Sequence, residues 1–341
     1  MRGKPMALIR RAASLLLIIS LLPAIGLADE ATLRISLPPV YEALPIAFAQ
    51  EWGLFADAGV SVEIIGITDD QERSTALMTG NLDAVMEDMT RAILDDAGGW
   101  DVVITSAAAS RPQTGSISLG LVTTESFGID SIDALISSGQ PIGTTYRSDY
   151  EYLLDELLAA HGLTDGWMNR YMYFNGVLQI AVWFGARSIP AAVLPEPYIS
   201  YLATYHPANG EPIYIVTLSD FSEVDPLPSF VIFQRRFVAD HPDIVAAFYS
   251  AYTEAIERIN ETPRDKLIEE GLDVVIPLFF EGANPASIPQ EVLDAIVIPT
   301  FNRPEEPLRG QFNDVAAWMK SKGYIIDLPS YEDLVDLRFI P

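Results

Sequence analysis

The sequence predicts an α/β protein of two sheet-and-helix lobes joined by paired crossings, and three observations carry that expectation. Short β-branched runs alternate with helix-period runs from Thr32 onward. A strand-like run at 230–235 follows a long block with its own alternation, as a chain returning to its first block would show. A helix-rich tail closes the sequence. The 341 residues suffice for two such lobes, and 49% apolar with 20% charged residues is a core-forming composition.

Taken in order, 33–37 reads as a strand, 45–58 as a helix ended by Gly59, and 60–67 as a strand with β-branched residues at its centre. A helix over 71–79 stops at Gly80-Asn81, 82–86 is a strand, 90–97 is a helix before Gly98-Gly99, and 101–109 is a strand. Such alternation argues a mostly parallel sheet covered by helices. After 116–124, the second block gives a helix at 132–137, a strand at 141–144 and a long helix at 148–161 stopped by Gly162. A strand at 172–174, a helix at 177–186, and strands at 191–194 and 212–218 follow. Beyond 230–235 come helices at 241–260, with Pro242 in the first turn, and at 263–270, 289–296, 308–322 and 331–334. The plan is a first lobe at 29–118, a second at 119–230, and a return segment at 231–341 that completes the first. Two crossings make a hinge, and the cleft lies at the strands' carboxyl ends, where open sheets bind ligands.

Residues 1–28 read as a signal peptide: Arg2, Lys4, Arg10 and Arg11, an apolar run at 12–22, Pro23, then small residues at Gly26 and Ala28. Eleven apolar residues backed by a proline are too few for a membrane anchor, which needs about 20. Cleavage near Asp29 and a periplasmic or other extracytoplasmic location are therefore expected. The net charge of −26 becomes about −30 once the four basic residues leave and all 47 acids stay. A surface so acidic repels phosphate backbones, so no nucleic-acid partner is expected. The absence of cysteine rules out disulfides, thiolate metal sites and a cysteine nucleophile. His161, His206 and His241 are widely spaced, no phosphate-loop, dinucleotide, serine-hydrolase or zincin motif occurs, and no metal, cofactor or catalysis is expected.

Four stretches resemble a known family. The run Ile46-Ala47-Phe48-Ala49-Gln50-Glu51-Trp52-Gly53-Leu54-Phe55-Ala56-Asp57-Ala58-Gly59-Val60-Ser61-Val62-Glu63 is similar to a signature of exported solute-binding proteins that serve ABC importers. Leu77-Met78-Thr79-Gly80-Asn81-Leu82-Asp83-Ala84, Gln140-Pro141-Ile142-Gly143-Thr144-Thr145 and Leu194-Pro195-Glu196-Pro197-Tyr198 match three further motifs of that family in order. Its members bind alkanesulfonates, taurine, nitrate, thiamine pyrimidine precursors and, in one branch, riboflavin. The resemblance spans about Thr32 to Asn260 and implies a type II periplasmic-binding-protein fold with a hinge and central ligand cleft, a small-molecule ligand, a membrane permease as partner, and a monomer without enzymatic activity. The stretch from Gly185 to Ala191 lacks the family's usual aspartate, which leaves the ligand subgroup open.

Candidate site residues sit where strands end. Tyr41 follows the first strand and offers an aromatic platform, against the reading of a tyrosine packed on its own lobe. Glu87 follows the third strand as an acceptor, with Asp88 as the cap of the next helix. Arg111 suits a sulfonate or carboxylate, or an ion pair with surface acids. Thr144, Thr145 and Tyr146 lead into the helix at 148–161, whose N-terminus collects polar groups, while Ser148 and Glu151 form a capping-box pattern. Asn175 follows another strand, and Glu196 with Tyr198 makes an acceptor-and-stacking pair. These residues lean toward an aromatic heterocycle, such as a thiamine pyrimidine precursor or a flavin, with a small anion as the alternative. Two rivals are a pyrimidine-precursor synthase, disfavoured by the missing cysteines, and a secreted sensor domain.

Overall fold

The computed structural model describes residues 31–108, 118–163, 167–204, 212–280, 288–296 and 298–340. The expected signal peptide and Arg111 lie outside them. The first block forms β1 (Leu33–Ser36), α1 (Leu44–Glu51), α2 (Leu54–Asp57), β2 (Val62–Ile64), α3 (Asp70–Met78), β3 (Ala84–Glu87), α4 (Met89–Ala97) and β4 (Val102–Ala107). The helix expected over 45–58 is broken in two because Gly53 takes φ +72°, a left-handed conformation no α-helix continues through.

The second block forms β5 (Leu119–Thr124), α5 (Ile132–Ser138), β6 (Ile142–Thr145), α6 (Asp149–Ala160), β7 (Tyr171–Phe174), α7 (Val177–Gly185), β8 (Ala191–Pro195), α8 (Tyr198–Thr204) and β9 (Ile215–Ser219). The chain then adds β10 (Phe230–Gln234), α9 (Arg235–Asp240), α10 (Pro242–Glu261), α11 (Arg264–Phe279), α12 (Gln290–Ala295), α13 (Arg309–Ser321) and α14 (Tyr331–Leu334).

The strands make two five-stranded sheets, ordered β2-β1-β3-β10-β4 and β7-β6-β8-β5-β9. The expectation of mostly parallel sheets is corrected: β10 runs antiparallel to β3 and β4, and β5 antiparallel to β8 and β9. Both strands enter their sheet directly from the other sheet rather than through a βαβ crossover, and only the crossover imposes parallel direction. The remaining pairs, β1 with β2 and β3 and β6 with β7 and β8, are parallel.

One apolar core lies between the first sheet and α1, α10 and α11, holding Phe48, Phe233, Phe248 and Phe279. A second runs from Ile104 and Ile232 of the first sheet, through Phe312, Trp318 and Met319 of α13, to Ile142 and Val193 of the second. Helix α13 is therefore a shared wall: Trp318 Nε1 and Lys322 Nζ donate to Asp155 of α6 at 2.9 and 2.6 Å. Among the described residues no helix is long and apolar enough to cross a membrane.

Candidate functional site

The carboxyl ends of β1 and β3 in one sheet and of β6 in the other come together, at the strand ends where open α/β sheets bind ligands. They enclose a cavity of about 40 Å³. Its walls are residues 38–40 after β1, Asp70 and Arg73 of α3, Glu87 at the end of β3 and Asp88 beyond it, Arg91 of α4, and residues 145–148 before α6, with Tyr150, Val177 and Ser229.

Arg73 is the organising cation. Its side chain is 2% exposed, donates from Nε to Glu87 Oε1 at 2.7 Å, from Nη1 to the Ile67 carbonyl at 2.7 Å and from Nη2 to Asp70 Oδ1 at 2.5 Å. Burial pushes the Glu87 and Asp70 carboxyls above their usual range, and Arg73 draws both back. Arg91 Nε stands 3.6 Å from Glu87 Oε2.

The opposite wall is the turn into α6. Thr145 Oγ1 donates to Ser148 Oγ at 2.6 Å, and Ser148 Oγ caps the helix by accepting from Glu151 N at 3.2 Å. The capping-box return is displaced by one residue, since Glu151 Oε2 accepts from Arg147 N at 2.8 Å. Arg147 has φ +53°, its guanidinium lies 4.9 Å from the Tyr146 ring and 4.8 Å from the Tyr324 ring, and its Nε is buried without a hydrogen-bond partner. A left-handed arginine held between two rings is the kind of strain that structures tolerate where a side chain must be aimed.

Of the residues predicted from sequence, Glu87, Thr145 and Tyr146 line this cavity together. Thr144 is buried in β6 beside them with its hydroxyl unpartnered. Asn175 meets the first sheet's side through its backbone, its carbonyl accepting from Asp70 N at 2.9 Å. Tyr41 and Tyr198 converge elsewhere, on Phe279: Tyr41 packs edge-on at 5.6 Å and the Tyr198 hydroxyl donates to the Phe279 carbonyl at 2.9 Å. Glu196 is engaged with Ser200, accepting from its N and Oγ at 3.0 and 2.9 Å. Asp88 does not cap its own helix; its carboxylate accepts from Asp149 N at 3.1 Å.

Sequence reading missed Arg73, Asp70 and Arg91, which sit on helices where a charge reads as a solvated face. The one available signal is the i,i+3 pairing of Asp70 with Arg73 in a helix that directly precedes β3. Among the described residues no group of three or more His, Asp and Glu side chains is placed to hold a metal ion.

Residues 41–266 match the family described as NMT1/THI5 like. The chain belongs to the NMT1/THI5-like family. Solved structures agree on architecture. The alkanesulfonate-binding protein SsuA from Xanthomonas axonopodis pv. citri, bound to MOPS, aligns with TM-score 0.68 at 17% identity over 91% of this chain and 99% of that one. The periplasmic nitrate-binding protein NrtA from Synechocystis PCC 6803 aligns with TM-score 0.65 at 13% identity, over 89% of this chain and 84% of that one. The CA3427 gene product of Candida albicans, described as having the generic periplasmic binding protein fold, aligns with TM-score 0.58 at 15% identity over 91% and 98%. This NMT1/THI5-like chain thus has the periplasmic-binding-protein fold. No curated protein matches it by sequence.

Proposed function

We propose that this chain is the exported solute-binding component of an ABC importer, which takes a small ligand between its two sheets and hands it to a membrane permease without transforming it. The observation that carries this reading is the cavity walled by strand ends of both sheets. The lobes at 29–118 with 231–341 and at 119–230 swing about the two crossings to admit and enclose the ligand.

The ligand is a small molecule rich in N–H or amino donors, of the aromatic heterocycle class to which a thiamine pyrimidine precursor belongs. Asp70, Glu87 and Asp88 supply acceptors and Tyr146, 44% exposed, supplies a ring. A cavity of about 40 Å³ holds little more than water in the closed arrangement, so a flavin demands a wider opening than a pyrimidine does. The second reading is a sulfonate or nitrate, favoured by Arg73, Arg91 and Arg147 in the walls and by the ligands named for the neighbouring structures.

A thermal-shift panel of riboflavin, hydroxymethylpyrimidine, thiamine, taurine, an alkanesulfonate and nitrate separates them. At 100 times Kd a ligand stabilises the native state by about 2.7 kcal/mol. A shift with a heterocycle supports the first reading, a shift with only an anion supports the second, and no shift with any compound counts against both.

A further inference from the structure

Helices α4 and α6 belong to different sheets and face each other N-terminus to N-terminus. Asp149, the first residue of α6, places Oδ2 3.0 Å from Met89 N and Oδ1 3.0 Å from Thr90 N, the opening amides of α4. Asp88, at the start of α4, places Oδ2 3.1 Å from Asp149 N, the opening amide of α6. Asp88 holds the N-cap position of α4, where an aspartate ordinarily serves its own helix, while Asp149 follows Ser148, the N-cap of α6. Here Asp88 reaches across to α6 instead, and the bond it does not make to α4 is replaced by two from Asp149.

We propose that Asp88 and Asp149 form a latch between the two sheets, each carboxylate capping the helix carried by the other, which holds the cleft closed without a ligand. Helix ends supply free N–H groups and the positive end of the macrodipole, so a carboxylate from across the cleft binds there as a small anion does. Ligand entry then requires the latch to release. A fourth cross-cleft bond, Asp70 N to the Asn175 carbonyl at 2.9 Å, closes the same seam. The inference concerns the ligand-free protein and stands whichever ligand is taken.

The latch carries its own pH response. Burial pushes Asp149 up to about 6, and burial with the facing Asp149 charge pushes Asp88 well above the usual carboxylate range. The charged or titratable groups around the pair are Asp70 and Arg73 of α3, Glu87 of β3, Arg91 of α4, Arg147 before α6, and Tyr150 of α6. In an open cleft both carboxyls return toward about 4. Burial and mutual repulsion thus outweigh the helix-end attraction for the charged forms, so the closed form binds protons at this pair more tightly than the open one: closure strengthens as pH falls from 7 toward 4 and weakens as pH rises through about 6.

The test is small-angle scattering together with amide exchange at Met89 and Thr90, on the ligand-free protein at pH 5 and pH 7.5. Wild type is expected to be more compact at pH 5. Asp149→Ala is expected to show a larger radius of gyration at both pH values and exchange at those two amides faster by roughly tenfold or more. The double variant Asp88→Asn/Asp149→Asn, in which each side chain keeps one acceptor and neither can ionise, is expected to lose most of the pH dependence while remaining folded. Wild-type radius and exchange in Asp149→Ala would overturn the latch. Should the alanine variant not fold, a wild-type pH response in Asp88→Asn/Asp149→Asn overturns it instead.

Discussion

Replacing Arg73 by leucine removes a guanidinium from a nearly solvent-free position. Its side chain is 2% exposed and its main partner Glu87 3% exposed, while Asp70 keeps 30% and can rehydrate. Arg73→Leu strands one buried carboxylate, and breaking a buried pair from one side costs about 3–5 kcal/mol. Unfolding entropy of roughly 2.1 cal/mol/K per residue over about 310 folded residues gives about 0.65 kcal/mol per degree, so the melting temperature should fall by roughly 5–8 °C. The deficit depends on pH with a definite sign. Without Arg73 the Glu87 carboxyl rises further above its ordinary value, the native state takes up a proton the unfolded chain does not, and the loss is greater at pH 8 than at pH 5. The double variant Arg73→Leu/Glu87→Leu removes both charges and should recover at least half of the loss, since an apolar pair of similar volume has no charge to desolvate. Calorimetry at the two pH values reads all of this. A loss below about 1 kcal/mol at pH 8, or a double variant no more stable than the single, refutes the reasoning.

Gly176 precedes α7 at φ −179°, a conformation open to any residue, yet a Cβ there would lie 2.7 Å from the Thr68 carbonyl oxygen on the other side of the cleft. Gly176→Ala should therefore leave helix and sheet content unchanged by circular dichroism and weaken whichever ligand the thermal panel identifies by roughly tenfold or more. Asp95 is buried and held up to about 7, so its ionisation costs the native state stability as pH rises from 4 to 7. Asp95→Asn should stabilise the protein at pH 8 by roughly 1–4 kcal/mol and change little at pH 4, as thermal melts at the two values will read.

Much of the architecture was legible because periodicity reports burial. The run at 33–37 became a strand and those at 132–137, 148–161 and 331–334 became helices within a residue or two of their expected ends, each helix opened by a capping serine whose local chemistry is decisive. Misreadings arose where tertiary context overrides local pattern. Strand direction is set by which sheet the chain comes from, and nothing within Phe230–Gln234 reports that. The helix expected to end near 270 runs on as α11 to Phe279 through Pro277, because its apolar face packs on α1. Helix α9 starts at Arg235 directly after β10 ends at Gln234, with no break that a propensity scale detects.

At the site, Glu87, Thr145 and Tyr146 were legible as residues at strand ends, a rule that follows from α/β topology. The rule cannot tell which strand-end side chains turn inward to pack. Tyr41 and Tyr198 are equally terminal in sequence and meet at Phe279 instead. Arg73 escaped notice because a lone arginine in a polar helix is the commonest of exposed residues; only the third dimension sets it against Glu87. The exchange of caps between Asp88 and Asp149 escaped it for a related reason. Each sequence position is right for a helix start, and which helix receives the carboxylate is decided across the cleft.

The most direct measurement is a crystal structure of the protein grown with the compound that gives the largest thermal shift. The expected result is ligand density between residues 38–40, Glu87 and residues 145–148, touching both sheets, with the Arg73–Glu87 pair in place behind it. Density in the separate cavity of about 450 Å³ lined by residues 225–228 and Gln311, with the space at Glu87 unchanged, would contradict it.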